Sequence, residues 1–231
     1  MTRPSLPLRV SPWRALRLAA GCLPFAALAV LVSCSTLPIP DPSYEGVYGK
    51  ALQKATRRAT IYSGLETRAF IRATYLSPEF TAAQAAEISK MRAEPPSEAA
   101  GRLARMLDEN KVPSFFVALH TPLKEWNDWD EPKSVWRVAV DLGHGQIDAP
   151  KVVRVERPDA EMLELYPYWD TFSIGYYLRF TGDPQPAPSG SVAGGTMSAA
   201  LGRMQFVAAG ALGRLSLEWT LPGFPPSAAA K

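Results

Sequence analysis

Leu65-Glu66-Thr67-Arg68-Ala69-Phe70-Ile71-Arg72-Ala73-Thr74-Tyr75-Leu76 is the stretch on which the fold turns. Leu65, Thr67, Ala69, Ile71, Ala73 and Tyr75 fall on one side of a period-two pattern, and Glu66, Arg68 and Arg72 on the other. That alternation predicts a half-buried strand over residues 65–76. Ser77-Pro78 ends it, and Thr81-Ala82-Ala83-Gln84 then has the form of a capping box opening an Ala-rich helix. Pro95-Pro96 breaks this helix and Ser97 can cap a second, with Ala99, Leu103, Met106 and Leu107 on one stripe. Asn110 and Pro113 close it. Residues 79–111 are therefore expected to be a helical pair inserted between strands.

The rest of the chain is β in character. Residues 115–120, 135–142, 151–155, 172–180, 204–208 and 214–221 are short runs rich in β-branched and aromatic residues. Gly143-His144-Gly145 and residues 209–213 supply turns, and residues 182–195, with Pro184, Pro186, Pro188 and several glycines, read as a long mobile loop. Upstream, Tyr44, Val47, Tyr48, Ala51, Ala55 and Ala59 recur at helical spacing. Residues 43–60 are accordingly expected to form an N-terminal helix with Lys50, Lys54, Arg57 and Arg58 on a solvated basic face. The expected class is α+β: an antiparallel β-sandwich-like domain of seven strands over residues 43–221, β-rich from 113 onward. The Pro- and Ala-rich residues 222–231 read as a disordered tail.

The N-terminal segment has a different grammar. Arg3, Arg9, Arg14 and Arg17 precede an apolar run over residues 18–32, which ends in Leu31-Val32-Ser33-Cys34. The 15 residues of this run, interrupted by Pro24, fall short of the roughly 20 that a membrane-spanning helix needs. A basic start, a short apolar run and small residues are the form of a cleaved export signal. With a cysteine at its end, the segment resembles the lipobox signal peptide of bacterial lipoproteins. Ala19-Ala20-Gly21-Cys22 resembles a lipobox too, but Arg17 leaves it almost no apolar run. The resemblance implies that residues 1–33 are removed and that Cys34 becomes the acylated first residue of a membrane-anchored envelope protein. Ser35, where an Asp would imply inner-membrane retention, implies the outer membrane, with the domain facing the periplasm. Residues 34–42, with Pro38, Pro40 and Pro42, then form an extended tether.

The signal changes the charge balance. The full chain carries 25 Lys+Arg against 22 Asp+Glu, a net +3. The four basic residues before Cys34 account for that excess, leaving 21 against 22 after it. A nucleic-acid partner, which needs a basic face to displace counterions, loses its support. Once Cys34 is lipidated and Cys22 removed, no cysteine remains for a disulfide, a thiol nucleophile or a metal site.

Residues suited to catalysis are few. The histidines are His120, at a strand end, and His144, in the glycine turn. No Gly-x-Ser-x-Gly elbow or phosphate-binding Gly-Lys loop is present, and Gly49-Lys50 lies inside the expected helix. Glu125-Trp126-Asn127-Asp128-Trp129-Asp130-Glu131 concentrates oxygen ligands. Asn127, Asp128, Asp130 and Glu131 suit calcium in number, although the spacing of a specific calcium loop is absent. Aromatics form a second concentration: Trp126 and Trp129 around the acidic loop, and Tyr166-Pro167-Tyr168-Trp169 before a strand. These either cap the sandwich or form a surface that stacks on sugar rings or anchors a protein. The expected function is a non-enzymatic binding or scaffolding lipoprotein. Its partners would be the membrane, through the lipid anchor, and an envelope protein or glycan; its only non-protein group would be the lipid on Cys34. The alternatives are a glycan-modifying or hydrolytic envelope enzyme, with acids from Asp128, Asp130 or Glu131, and a calcium-dependent binding module on the same loop.

Overall fold

The computed structural model describes residues 44–143, 145–148, 150–183 and 202–221. The signal, Cys34, the tether, His144, most of the 182–195 loop and the 222–231 tail lie outside them. The elements are α1 (Gly46–Ala55), β1 (Thr56–Ser63), β2 (Glu66–Tyr75), α2 (Pro78–Met91), α3 (Pro96–Glu109) and β3 (Ser114–His120), then a 3-10 turn (Lys124–Trp126). After it come β4 (Trp136–Asp141), β5 (Gln146–Asp148), β6 (Lys151–Val155), α4 (Ala160–Leu165), β7 (Ile174–Arg179), β8 (Arg203–Gly210) and β9 (Gly213–Thr220). The strands form a five-stranded sheet, β1-β2-β3-β7-β6, and a four-stranded sheet, β5-β4-β8-β9. Every pairing is antiparallel. The α+β sandwich-like class with an N-terminal helix and an inserted helical pair is the observed one.

Side-chain alternation explains the layering. Met204, Phe206 and Ala208 of β8 and Leu215, Leu217 and Trp219 of β9 point into the space between the sheets. Arg214, Ser216, Glu218 and Thr220 face out. From the five-stranded sheet, Ile71, Phe115, Val117, Leu119, Tyr176 and Leu178 meet them. The opposite face of that sheet is covered too: Phe116 and Ala118 pack with Leu52, Phe80, Ile88, Leu165 and Trp169. β3 is therefore buried from Ser114 to Leu119 without alternation, as expected for a strand covered on both faces. The molecule has three layers: helices, five strands, four strands.

Several boundaries differ from the sequence reading. The N-terminal helix stops at Ala55, and Thr56 is already extended, with φ −95° and ψ 139°. Residues 56–63 form β1, paired with β2 throughout. Among the described residues nine strands stand where seven were expected, β1 and the short β5 being the additions. The hairpin turn at Ser63-Gly64 leaves Leu65 fully exposed outside β2. α2 begins earlier than the capping-box pattern, because Ser77 Oγ accepts from Phe80 N at 3.1 Å and Pro78 occupies the first turn. Thr81 lies inside this helix, where its hydroxyl donates to Leu76 O at 3.3 Å. α3 likewise opens at Pro96, so Ser97 is helical rather than a cap. α2 and α3 connect β2 to β3, which are neighbours in the sheet.

Candidate functional site

The aromatic loop after α4 turns inward. Asp159 caps α4, its Oδ1 accepting from Met162 N at 2.8 Å, and the chain leaves the helix at Tyr166 directly over the five-stranded sheet. Tyr166 stacks on Phe116 with ring centroids 3.9 Å apart, and its hydroxyl accepts from Gln84 Nε2 at 2.7 Å. The Tyr168 and Thr74 hydroxyls share a hydrogen bond at 2.6 Å, and Thr74 shares another with Thr56 at 2.7 Å. Trp169 Nε1 donates to Ser173 O at 3.0 Å. Burial pushes the Tyr166 and Tyr168 phenols well above their ordinary pKa. These are core groups with their polar ends satisfied.

The other aromatic pair goes to the opposite face of the same sheet. Trp129 lies in the inter-sheet core, stacked on Tyr176 at 5.7 Å and edge-on to Trp136 at 6.3 Å. Trp126, half-buried at its margin, accepts from Trp136 Nε1 through its carbonyl at 2.7 Å. This corrects the expected binding surface. Trp129, Tyr166, Tyr168 and Trp169 are each at most 5 % exposed, and the two clusters belong to separate cores.

The acidic loop is held by its own hydrogen bonds. Asn127 is buried: Nδ2 donates to Leu119 O and Oδ1 accepts from the Tyr176 hydroxyl, both at 2.8 Å. Asp128 accepts from Ser134 Oγ at 2.8 Å and from Val135 N at 2.9 Å. Asp130 pairs with Arg154 at 3.3 Å, while Glu131 is exposed. The loop thus fastens the start of β4 to the end of β3. Among the described residues, no three His, Cys, Asp or Glu side chains converge as metal ligands. His120 lies at its strand end, with Nδ1 2.9 Å from Phe172 O.

The chemically distinctive surface lies where the sequence reading placed a helix. A pocket of about 300 Å³ is lined by Tyr44, Gln53, Thr56, Arg57, Arg58 and Arg72. Arg58 and Arg72 are direct partners across β1 and β2. The Arg72 guanidinium sits over the rings of Phe70 and Tyr168, 5.4 and 5.9 Å from their centroids. Arg57 is fixed by backbone oxygens: Nη1 donates to Lys54 O and Thr56 O at 2.8 Å, and Nε to Glu218 O at 3.0 Å. It also lies 5.8 Å from the Trp219 ring centroid. Burial holds its pKa below the ordinary value. The pocket's sequence signal was the run Thr56, Thr60, Ile61 and Tyr62 before Ser63-Gly64, which marks a hairpin strand and sets Arg58 opposite Arg72.

Comparisons of the chain with protein-family models, with curated proteins and with solved structures give no match.

Proposed function

We propose that the chain is a lipid-anchored protein of the bacterial cell envelope, held in the outer membrane facing the periplasm, whose folded domain works by binding. The observation that carries this is Leu31-Val32-Ser33-Cys34 behind Arg3, Arg9, Arg14 and Arg17 and the apolar run of residues 18–32. No helix among the described residues is long and apolar enough to cross a membrane; in this reading attachment comes from the acyl chains on Cys34, several of which together hold firmly where one binds only marginally. The binding role draws on the arginine pocket in place of the buried aromatic loops. Two of its guanidiniums are held in place, Arg57 by backbone carbonyls and Arg72 by aromatic rings, and such preorganisation lowers the cost of binding.

Replacing Cys34 with Ala tests the anchor. In a bacterial host, the wild-type chain should incorporate labelled palmitate and sediment with membranes. C34A should lose the label and leave the outer-membrane fraction. Unchanged labelling, or labelling that disappears in C22A instead, would overturn the assignment.

A further inference from the structure

We propose that the free edge of β6 takes up an extended segment of another protein as a sixth, antiparallel strand of its sheet, with an acidic residue of that segment set against Lys151. The other sheet edges are closed or short. β1 and β9 lie against each other, with Arg57 Nε donating to Glu218 O at 3.0 Å and Ile61 packed over Gly213, and β5 has three residues. β6 runs over Lys151–Val155 and ends the five-stranded order. Its register with β7 is continuous from Lys151 opposite Arg179 to Val155 opposite Gly175, with neither a proline nor a bulge to interrupt it. Among the described residues, no backbone hydrogen bond from another element reaches it. In an antiparallel pair, alternate residues turn both N–H and C=O to the partner. The remaining residues of β6 turn theirs outward, the template on which a further strand adds.

The side chains along this edge set the kind of strand that fits. Lys151 and Val153 share a face with Arg179 and Tyr177, their partners on β7, and the four line a dimple of about 160 Å³. Val153 is 53 % exposed, so an apolar residue beside it would take both out of water. Arg179 is taken by Glu109 at 2.8 Å. Lys151 has no carboxylate partner among the described residues, and an acidic residue opposite it completes a cross-strand pair. A second copy of this chain fits less well. Centred on Val152 or Val153, a twofold pairing would set Lys151 against Val153 or Val155; centred on Lys151 or Arg154, it would set like charges together. β6 lies at the opposite edge of its sheet from β1, so this surface is separate from the arginine pocket, and it does not depend on the lipid anchor.

The test uses the full-length protein in dodecyl maltoside and a fluorescein-labelled peptide, Thr-Val-Thr-Val-Val-Glu-Thr. Laid antiparallel to β6, it sets Val against Val155 and Val153 and Glu against Lys151. Fluorescence anisotropy should show saturable binding. Lys151→Glu, a change at an exposed side chain, should weaken it by about fivefold, as reversal of one cross-strand charge pair allows. The same variant should bind a peptide with Lys in place of Glu more tightly than the wild type does. The backbone is tested from the peptide side, which leaves the folding of the protein untouched. Alternate amides of an added strand face β6, so N-methylation of the odd or of the even residues should abolish binding in one case and spare it in the other. No saturable binding, equal effects of the two methylations, or an affinity unchanged in K151E overturns the proposal. So do β6 amides that are all protected from hydrogen exchange in the free monomer, which would mean a covered edge, or protection that grows with protein concentration, which would give the edge to a second copy.

Discussion

Gly175 of β7 carries the indole of Trp169 across its backbone: a Cβ placed there would come within 2.6 Å of the ring. The indole cannot move aside freely, because Nε1 is bonded to Ser173 O and the ring packs against Phe116 at 5.2 Å. Overpacking at such a place costs about 1–3 kcal/mol. Gly175→Ala should therefore lower the unfolding free energy measured in urea by that amount, and Trp169→Leu on the same background should recover part of the loss. Strictly additive losses in the double-mutant cycle would show that the two positions do not share this contact. The same contact explains why Tyr166-Pro167-Tyr168-Trp169 was legible as an aromatic cluster but not as core. Where Trp169 goes depends on a bare glycine in β7 and on Phe116, 53 residues upstream, which local sequence does not report.

At the scale of elements, α2 and α3 are joined by a tight link whose chemistry is electrostatic. α2 closes with Glu94 N donating to Ser89 O at 2.9 Å and Ala93 N to Lys90 O at 3.2 Å, with Ala93 at φ 49°. The Glu94 carboxylate then takes Arg102 Nε and Ser89 Oγ, each at 2.9 Å, and Arg102 Nη2 on its other oxygen. The Arg102 hydrogen bonds, more than Ser89, hold its pKa at about 2, down from the ordinary 4.5. A depressed folded-state pKa adds stability above the ordinary value and loses it as pH falls toward the folded one. Between pH 4.5 and 2 the wild type should consequently lose more stability than Glu94→Gln; parallel pH profiles in thermal unfolding would refute the link. The paired prolines made this helical hairpin legible. β1 was not, because Ala59 continues the helical spacing of Tyr44 to Ala55 across residues that equally fit a strand. Pairing with β2, the Thr56–Thr74 contact included, decides between them.

Over the whole molecule, what the sequence could not disclose is who neighbours whom. Alternating burial in β8 and β9 leaves one face wet, and the unbroken burial of β3 leaves two faces dry. Yet the order β1-β2-β3-β7-β6 rests on contacts between residues far apart in the chain. One such contact ties the end of the domain to its beginning. Trp219 Nε1 on β9 donates to Ala55 O at 2.6 Å in a buried setting. That carbonyl ends α1 and has no partner within the helix. The indole also touches Phe115 and Tyr75, with centroids 5.3 and 6.3 Å away, so Trp219→Phe keeps most of the packing while removing the donor. Stranding a buried carbonyl costs about 1–3 kcal/mol. W219F should lower global stability by that much and raise hydrogen exchange in the last turn of α1, residues 52–55, before it does so in β3. A loss under about 0.5 kcal/mol, the range of ordinary surface substitutions, would mean that the two ends are held by packing alone.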